Sequence, residues 1–133
     1  MYIHSFLNIL SAGGFAMENK CTNHSQHKDE MLRAKENLPD ENKVALLADF
    51  FKVLGDSTRL KIIGILRHNK LSVCCIADCL GMEQSAISHQ LKVLRNNHIV
   101  KVEKQGKQSF YSLDDLHVEL IYQMCLEHIL EDE

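Results

Sequence analysis

No run of eighteen apolar residues occurs in the 133-residue chain, so the sequence offers nothing to span a membrane. The first sixteen residues, MYIHSFLNILSAGGFA, contain neither Lys nor Arg, and without a basic leader they do not read as a secretory signal. Met17 opens a different composition, so an upstream-start extension or a tail is expected before it. The five cysteines, Cys21, Cys74, Cys75, Cys79 and Cys125, are odd in number and lack the regular spacing of a secreted disulfide framework. A reducing cytoplasm is the expected setting. There is no His-Glu-x-x-His, which argues against a metallohydrolase and, with it, against an enzyme. No Lys or Arg follows Leu113, where Asp114, Asp115, Glu119, Glu127, Glu131, Asp132 and Glu133 all lie.

What is present fits one compact domain with a tail, since 45% of residues are hydrophobic and 25% charged. The net charge of −3 conceals an asymmetry: between Gln84 and Tyr111 the charged residues are Lys92, Arg95, Lys101, Lys104 and Lys107 against Glu103 alone. A basic middle suits a polyanion, and the acidic end suits cations.

From Met17 to Pro39 the chain is polar and reads as a solvated arm, in which Cys21, His24 and His27 could serve a metal held elsewhere. Asp40 can cap a helix through Leu54 with Leu46, Leu47, Phe50, Phe51 and Leu54 on a broad apolar face, and Gly55 ends it. Asp56 or Ser57 caps the next, with Leu60, Ile63 and Leu66 inward. Ser72 begins a short helix closed by Leu80-Gly81, and Glu83 or Gln84 starts another to about Asn96 with Ile87, Leu91 and Leu94 inward. Two helices joined by a short Gly-containing turn make a helix-turn-helix, whose second member enters a major groove. Its outward residues are Gln84, Ser85, Ser88, His89 and Lys92, amides and hydroxyls for base edges and a cation for phosphate. Ile99–Lys104 alternates at period two, Gln105-Gly106 offers a turn, and Ser109–Leu113 returns as a strand. Such a hairpin would form a wing, with Lys104, Gln105, Lys107 and Gln108 at its tip along the flanking phosphates or minor groove.

The last helix organises the functional reading. Leu116 to Leu130 contains no Pro or Gly, and positions 117, 121, 124, 128 and 131 share one helical face. His117 and His128 are eleven residues apart, roughly 16 Å along the axis, too far for one ion to touch both. An antiparallel second copy would bring its His128 and Glu131 beside Asp115 and His117, giving two identical sites across a homodimer. A His and carboxylate set of four suits zinc, or cobalt as a mimic, and leaves no open position for a substrate. His128 and Glu131 are i and i+3, whereas Asp115 and His117 diverge unless Asp115 sits at the N-cap. A solvated amphipathic helix is the plainer alternative.

With these residues in place, the chain resembles the ArsR/SmtB family of metal-sensing winged helix-turn-helix repressors. The resemblance rests on LGDSTRLKIIGIL (54–66), SAISHQLKVLR (85–95), HIVKVEKQGKQSFYSL (98–113) and the closing pattern Asp115-x-His117, then His128-x-x-Glu131. It covers all but the N-terminal third and implies a mainly helical, homodimeric fold with a small β-hairpin. The expected organisation is a flexible N-terminal extension over 1–39 and a DNA-binding and dimerisation domain over 40–133. The resemblance also implies an inter-subunit zinc site at Asp115, His117, His128 and Glu131, a two-fold-related operator as partner, and neither a membrane nor a small-molecule substrate.

Cysteine-rich members of that family, which sense cadmium and lead, imply a second site. Ser72 replaces the first of their helix cysteines, leaving Cys74, with Cys75 and Cys79 additional and Cys21 with His24 or His27 as the N-terminal contribution. Cys75 and Cys79 are one turn apart, and thiolates favour soft ions. A buried packing role is the alternative for these thiols, and Cys125 reads as packing. The expectation is release from the operator on binding zinc, or cadmium, lead or cobalt. A thiol redox switch at Cys74, Cys75 or Cys79 and a metal buffer without DNA binding are its rivals.

Overall fold

The structure is a computed structural model that describes residues 27–131. Cys21 and His24, expected as N-terminal ligands, lie outside the described residues. The chain divides into two units, Met1–Asp40 and Glu41–Glu133.

In the first unit, helix α1 spans Lys28–Glu36 with no buried residue. The segment expected as a solvated arm thus carries a helix over part of its length, solvated on every side. Asp29 and Glu30 in its first turn and Arg33 and Lys35 in its last each complement the local pole of the macrodipole. No apolar stripe announces it, which is why periodicity missed it.

The second unit begins with α2, Glu41–Leu54. Of its expected apolar face, Phe50 and Leu54 pack on the core together with Val53, whereas Leu46, Leu47 and Phe51 remain exposed. Helix α3, Ser57–Leu66, is capped by Asp56, whose carboxylate accepts the Arg59 backbone N–H at 3.0 Å. It buries Ile62, Ile63 and Leu66, and Leu60, expected inward, is 39% exposed. Two residues of strand, β1 (Leu71–Ser72), precede α4 (Val73–Leu80), and Ser72 caps it by accepting the Cys75 N–H. Gly81 at φ 61 closes α4 in the left-handed region that glycine enters without steric cost.

Helix α5, Gln84–Asn96, seats Ile87, Leu91 and Leu94 fully in the core, as its spacing predicts. It ends on His98 at φ 57, whose N–H donates to Arg95 O while Ile99 N–H donates to Leu94 O. Strands β2 (Val100–Gln105) and β3 (Gln108–Leu113) pair antiparallel from Val100 with Leu113 to Gln105 with Gln108. The two-residue turn is therefore Gly106-Lys107, one residue later than the Gln105-Gly106 expected, and the positive φ of 65 falls on Gly106. β1 pairs with the far side of β3, giving the order β1-β3-β2, a third strand too short to read from sequence. Helix α6, Leu116–Leu130, closes the unit and contributes Val118 to the core. The α4–turn–α5 pair followed by the β2–β3 hairpin is a winged helix-turn-helix. Among the described residues no helix is long and apolar enough to cross a membrane.

Candidate metal and nucleic-acid sites

Burying Ile87, Leu91 and Leu94 turns the opposite side of α5 outward, so Gln84, Ser85, Ser88, His89 and Lys92 are all exposed together. At the wing, Lys104, Gln105 and Lys107 are exposed around the turn. Glu103, the one acid of this basic stretch, is paired with Lys70, and that hydrogen bond and charge hold its carboxyl below the usual carboxylate range. The surface offered by α5 and the wing is thus one of neutral hydrogen-bonding groups flanked by cations, the chemistry of base-edge and phosphate contact.

Asp115 is the N-cap of α6 at φ −152, ψ 177, the extended conformation that its spacing from His117 requires. Its Oδ1 accepts the backbone N–H of His117 at 2.9 Å and of Val118 at 3.4 Å, while Oδ2 lies 3.4 Å from His117 Nδ1. The His117 side chain and these backbone donors hold the Asp115 carboxyl below its ordinary value. A carboxylate and an imidazole therefore stand side by side, with the imidazole 86% exposed. His128 and Glu131 are exposed at the other end of the helix. Among the described residues of one chain, no group of three or more His, Cys, Asp or Glu lies close enough to hold an ion. Each end of α6 offers two donors of hard-to-borderline character, half of a tetrahedral shell.

Between these ends α6 is apolar on the outside as well. Met124 is 67% exposed, and Leu116, Leu120, Ile129 and Leu130 are exposed with it. Alongside, a cleft of about 370 Å³ runs between α2, α3 and α6, lined by Phe51, Leu54, Leu60, Ile121, Leu126 and Ile129 among others. Cys125 lines it too, exposed in the single chain. Apolar surface continuous over neighbouring helices is the kind that marks an interaction face.

Cys74, Cys75 and Cys79 are free and exposed on α4, so the packing alternative does not describe them. Ser72, in place of a further cysteine, is occupied as the α4 cap. Two residues that the sequence did not single out join helices to one another. Arg59 reaches Gln90 of α5 and Val53 O of α2, and Arg67 reaches Gln123 of α6 while lying over the Tyr122 ring. These partners are separated in sequence by as many as 56 residues, and no local pattern encodes them.

Comparison with known proteins agrees with the winged helix-turn-helix fold. The family model described as "Bacterial regulatory protein, arsR family" matches residues 56–102. The chain is 31% identical over 107 residues to a transcriptional repressor SmtB homolog of Synechocystis, covering 80% of this chain and 81% of that one. It is 38% identical over 103 residues to a cadmium resistance transcriptional regulatory protein CadC homolog of Staphylococcus aureus, covering 77% and 84%. The solution structure of a homodimeric winged helix-turn-helix DNA-binding domain from Mycobacterium bovis matches the fold with a TM-score of 0.63 at 23% identity, over 73% of this chain and 95% of that one.

Proposed function

The chain belongs to the ArsR family of bacterial regulatory proteins, and from that premise we propose a homodimeric, metal-responsive transcriptional repressor that leaves its operator on binding zinc. One observation carries the zinc reading: Asp115 and His117 stand together at one end of α6, His128 and Glu131 at the other, on a helix whose intervening apolar residues have no cover. An antiparallel second copy covers that face and completes both shells, with Asp115 and His117 of one chain meeting the equivalents of His128 and Glu131 from the other. Zinc would supply a closed four-ligand link between the subunits and no chemistry on a substrate.

In the metal-free dimer, the two α5 helices read half-sites about 34–36 Å apart. Gln84, Ser85, Ser88 and His89 meet base edges, while Lys92, Lys104 and Lys107, with Gln105, hold phosphates. Joining the C-terminal helices through four ligands per site favours an arrangement that misplaces those spacings, and DNA must weaken metal affinity by the same factor. The domain from about residue 40 onward carries both functions, and the operator places the protein in the cytoplasm.

A second reading has its own support: the thiols of α4 are exposed and free, and a relative is named for cadmium resistance. Cys74 and Cys75, with Cys21 and His24, would then form a soft-ion site for cadmium or lead, or the α4 thiols would serve as a redox switch.

One titration separates these. Zinc, cadmium, lead and cobalt are added to the dimer bound to a fluorescent operator duplex, and release is followed by anisotropy. Zinc releases the wild-type and Cys74→Ser proteins but not His117→Ala or His128→Ala, and cobalt shows nitrogen and oxygen ligation without thiolate bands. Zinc loading releases protons, because the ligands bind in their deprotonated forms. Release that survives both histidine substitutions and disappears in Cys74→Ser transfers sensing to the thiols. Absence of salt-dependent operator binding reduces the protein to a metal buffer.

A further inference from the structure

Helix α3 is the helix that packs against both α5 and α6, and an arginine projects from each end of it. At one end, Arg59 Nε donates to Gln90 Oε1 at 2.9 Å and Nη1 donates to Val53 O at 3.2 Å, while its backbone N–H is held by Asp56. A guanidinium is a rigid planar fork, so α5 cannot turn against α2 without breaking one of those two bonds. Gln90 lies on the side of α5 away from Ser85, Ser88 and Lys92, where it is partly buried. It is a handle on the back of the recognition helix.

At the other end, Arg67 donates to Gln123 Oε1 and its guanidinium sits 4.9 Å from the centre of the Tyr122 ring. Both partners belong to α6, midway between the two ligand pairs. Close approach reinforces the grip: a Cβ on Gly64 would fall 2.9 Å from Tyr122 Oη. His68, just past the end of α3, has Nδ1 3.6 Å from Glu119 Oε1 of α6. Between the two arginines, Ile62, Ile63 and Leu66 are fully or almost fully buried, so α3 is fixed in the core along its length and moves as one piece.

We propose that α3 transmits the state of the metal helix to the recognition helix, Arg67 being its grip on α6 and Arg59 its grip on α5. Both arginines are positioning residues that touch neither metal nor DNA. The proposal rests on the reading of the protein as a zinc-released repressor. It differs from a direct hydrogen bond between a metal-bound imidazole and the recognition helix near His89, which would bypass both arginines.

The test measures a ratio: operator affinity of the metal-free dimer over that of the zinc-loaded dimer, with the duplex that wild-type protein selects from random sequence. Arg59→Lys, Gln90→Met and Arg67→Lys each lower that ratio about tenfold, equivalent to about 1.4 kcal/mol of coupling. The zinc affinity of the DNA-free dimer stays within about threefold of wild type in each, because no ligand is altered. The double variant Arg59→Lys/Gln90→Met is no worse than either single one, since both cut the same contact. Arg59→Lys/Gln90→Glu recovers the ratio by restoring a charge-assisted bond.

Circular dichroism and sedimentation confirm that each variant is a folded dimer, and Gln90→Met, conservative for helix, stands if an arginine variant does not fold. A ratio unchanged in Gln90→Met and Arg67→Lys, or one that falls only together with zinc affinity, overturns the proposal. A ratio of one in wild-type protein instead removes the zinc-repressor reading, and the proposal with it.

Discussion

Gly64→Ala places a methyl group at the crossing of α3 and α6, and the geometry there gives the sign of its effect. In an ordinary helix interior the exchange is favourable by about 1 kcal/mol, because alanine restricts the unfolded backbone. Here the added Cβ falls 2.9 Å from Tyr122 Oη, closer than heavy atoms tolerate, with the ring Cζ next at 3.4 Å. The ring cannot simply swing aside, since the Arg67 guanidinium lies over it. Overpacking of this kind costs about 1–3 kcal/mol. The net expectation is a loss of between about 0 and 2 kcal/mol. Tyr122→Phe removes the offending oxygen and leaves Cζ at 3.4 Å, an ordinary contact. In that background Gly64→Ala becomes stabilising by about 1 kcal/mol. Urea unfolding of the four proteins at one fixed dimer concentration measures both steps and their coupling. Stabilisation by Gly64→Ala of the same size in both backgrounds would refute the claim that α3 and α6 are in contact through this hydroxyl.

Three further outcomes follow from local geometry. His98→Gly relieves a side chain held at φ 57 and raises stability by about 0.5–1 kcal/mol after the added freedom of the unfolded chain is subtracted; a lower melting temperature would contradict it. Asp115→Asn keeps the helix cap and leaves the metal-free melting temperature near wild type, whereas Asp115→Ala lowers it; both weaken zinc binding, and equal melting temperatures for the two would show that the cap is idle. NMR titration of Glu103 gives a midpoint below the ordinary carboxylate value of about 4.3, returning toward it in Lys70→Met. Because the folded value is the depressed one, the Lys70 contact supports the fold above that pH and is lost as pH falls through the folded midpoint.

The parts of the fold legible in the sequence were those with a repeating apolar signal or a side-chain cap. Ile87, Leu91 and Leu94 recur at helical spacing and are buried, and Asp56, Ser72 and Asp115 each cap the helix that follows. α1 carries no buried apolar stripe, and two residues of β1 are too few for a period to show. Leu60 was misplaced because Ile62 and Ile63 fill the inner face of α3 and leave it outside. The turn of the hairpin moved by one residue because Gly106 takes the first central position, where the positive φ is needed. At the start of α6, spacing reached the arrangement of Asp115 and His117, since an i, i+2 pair can converge only across a cap. Arg59 and Arg67 were invisible for the opposite reason: their partners are distant in sequence and follow from the tertiary packing of α3.

The separation of the two donor pairs along α6 also has a genetic corollary. If each ion is gripped by the front pair of one chain and the rear pair of the other, a chain lacking Asp115 and His117 and a chain lacking His128 and Glu131 are each deaf alone. Co-expressed, they form mixed dimers in which one of the two shells is intact, built from the unaltered end of each. Two defective alleles would then restore inducibility to one another, and two alleles damaged at the same end would not.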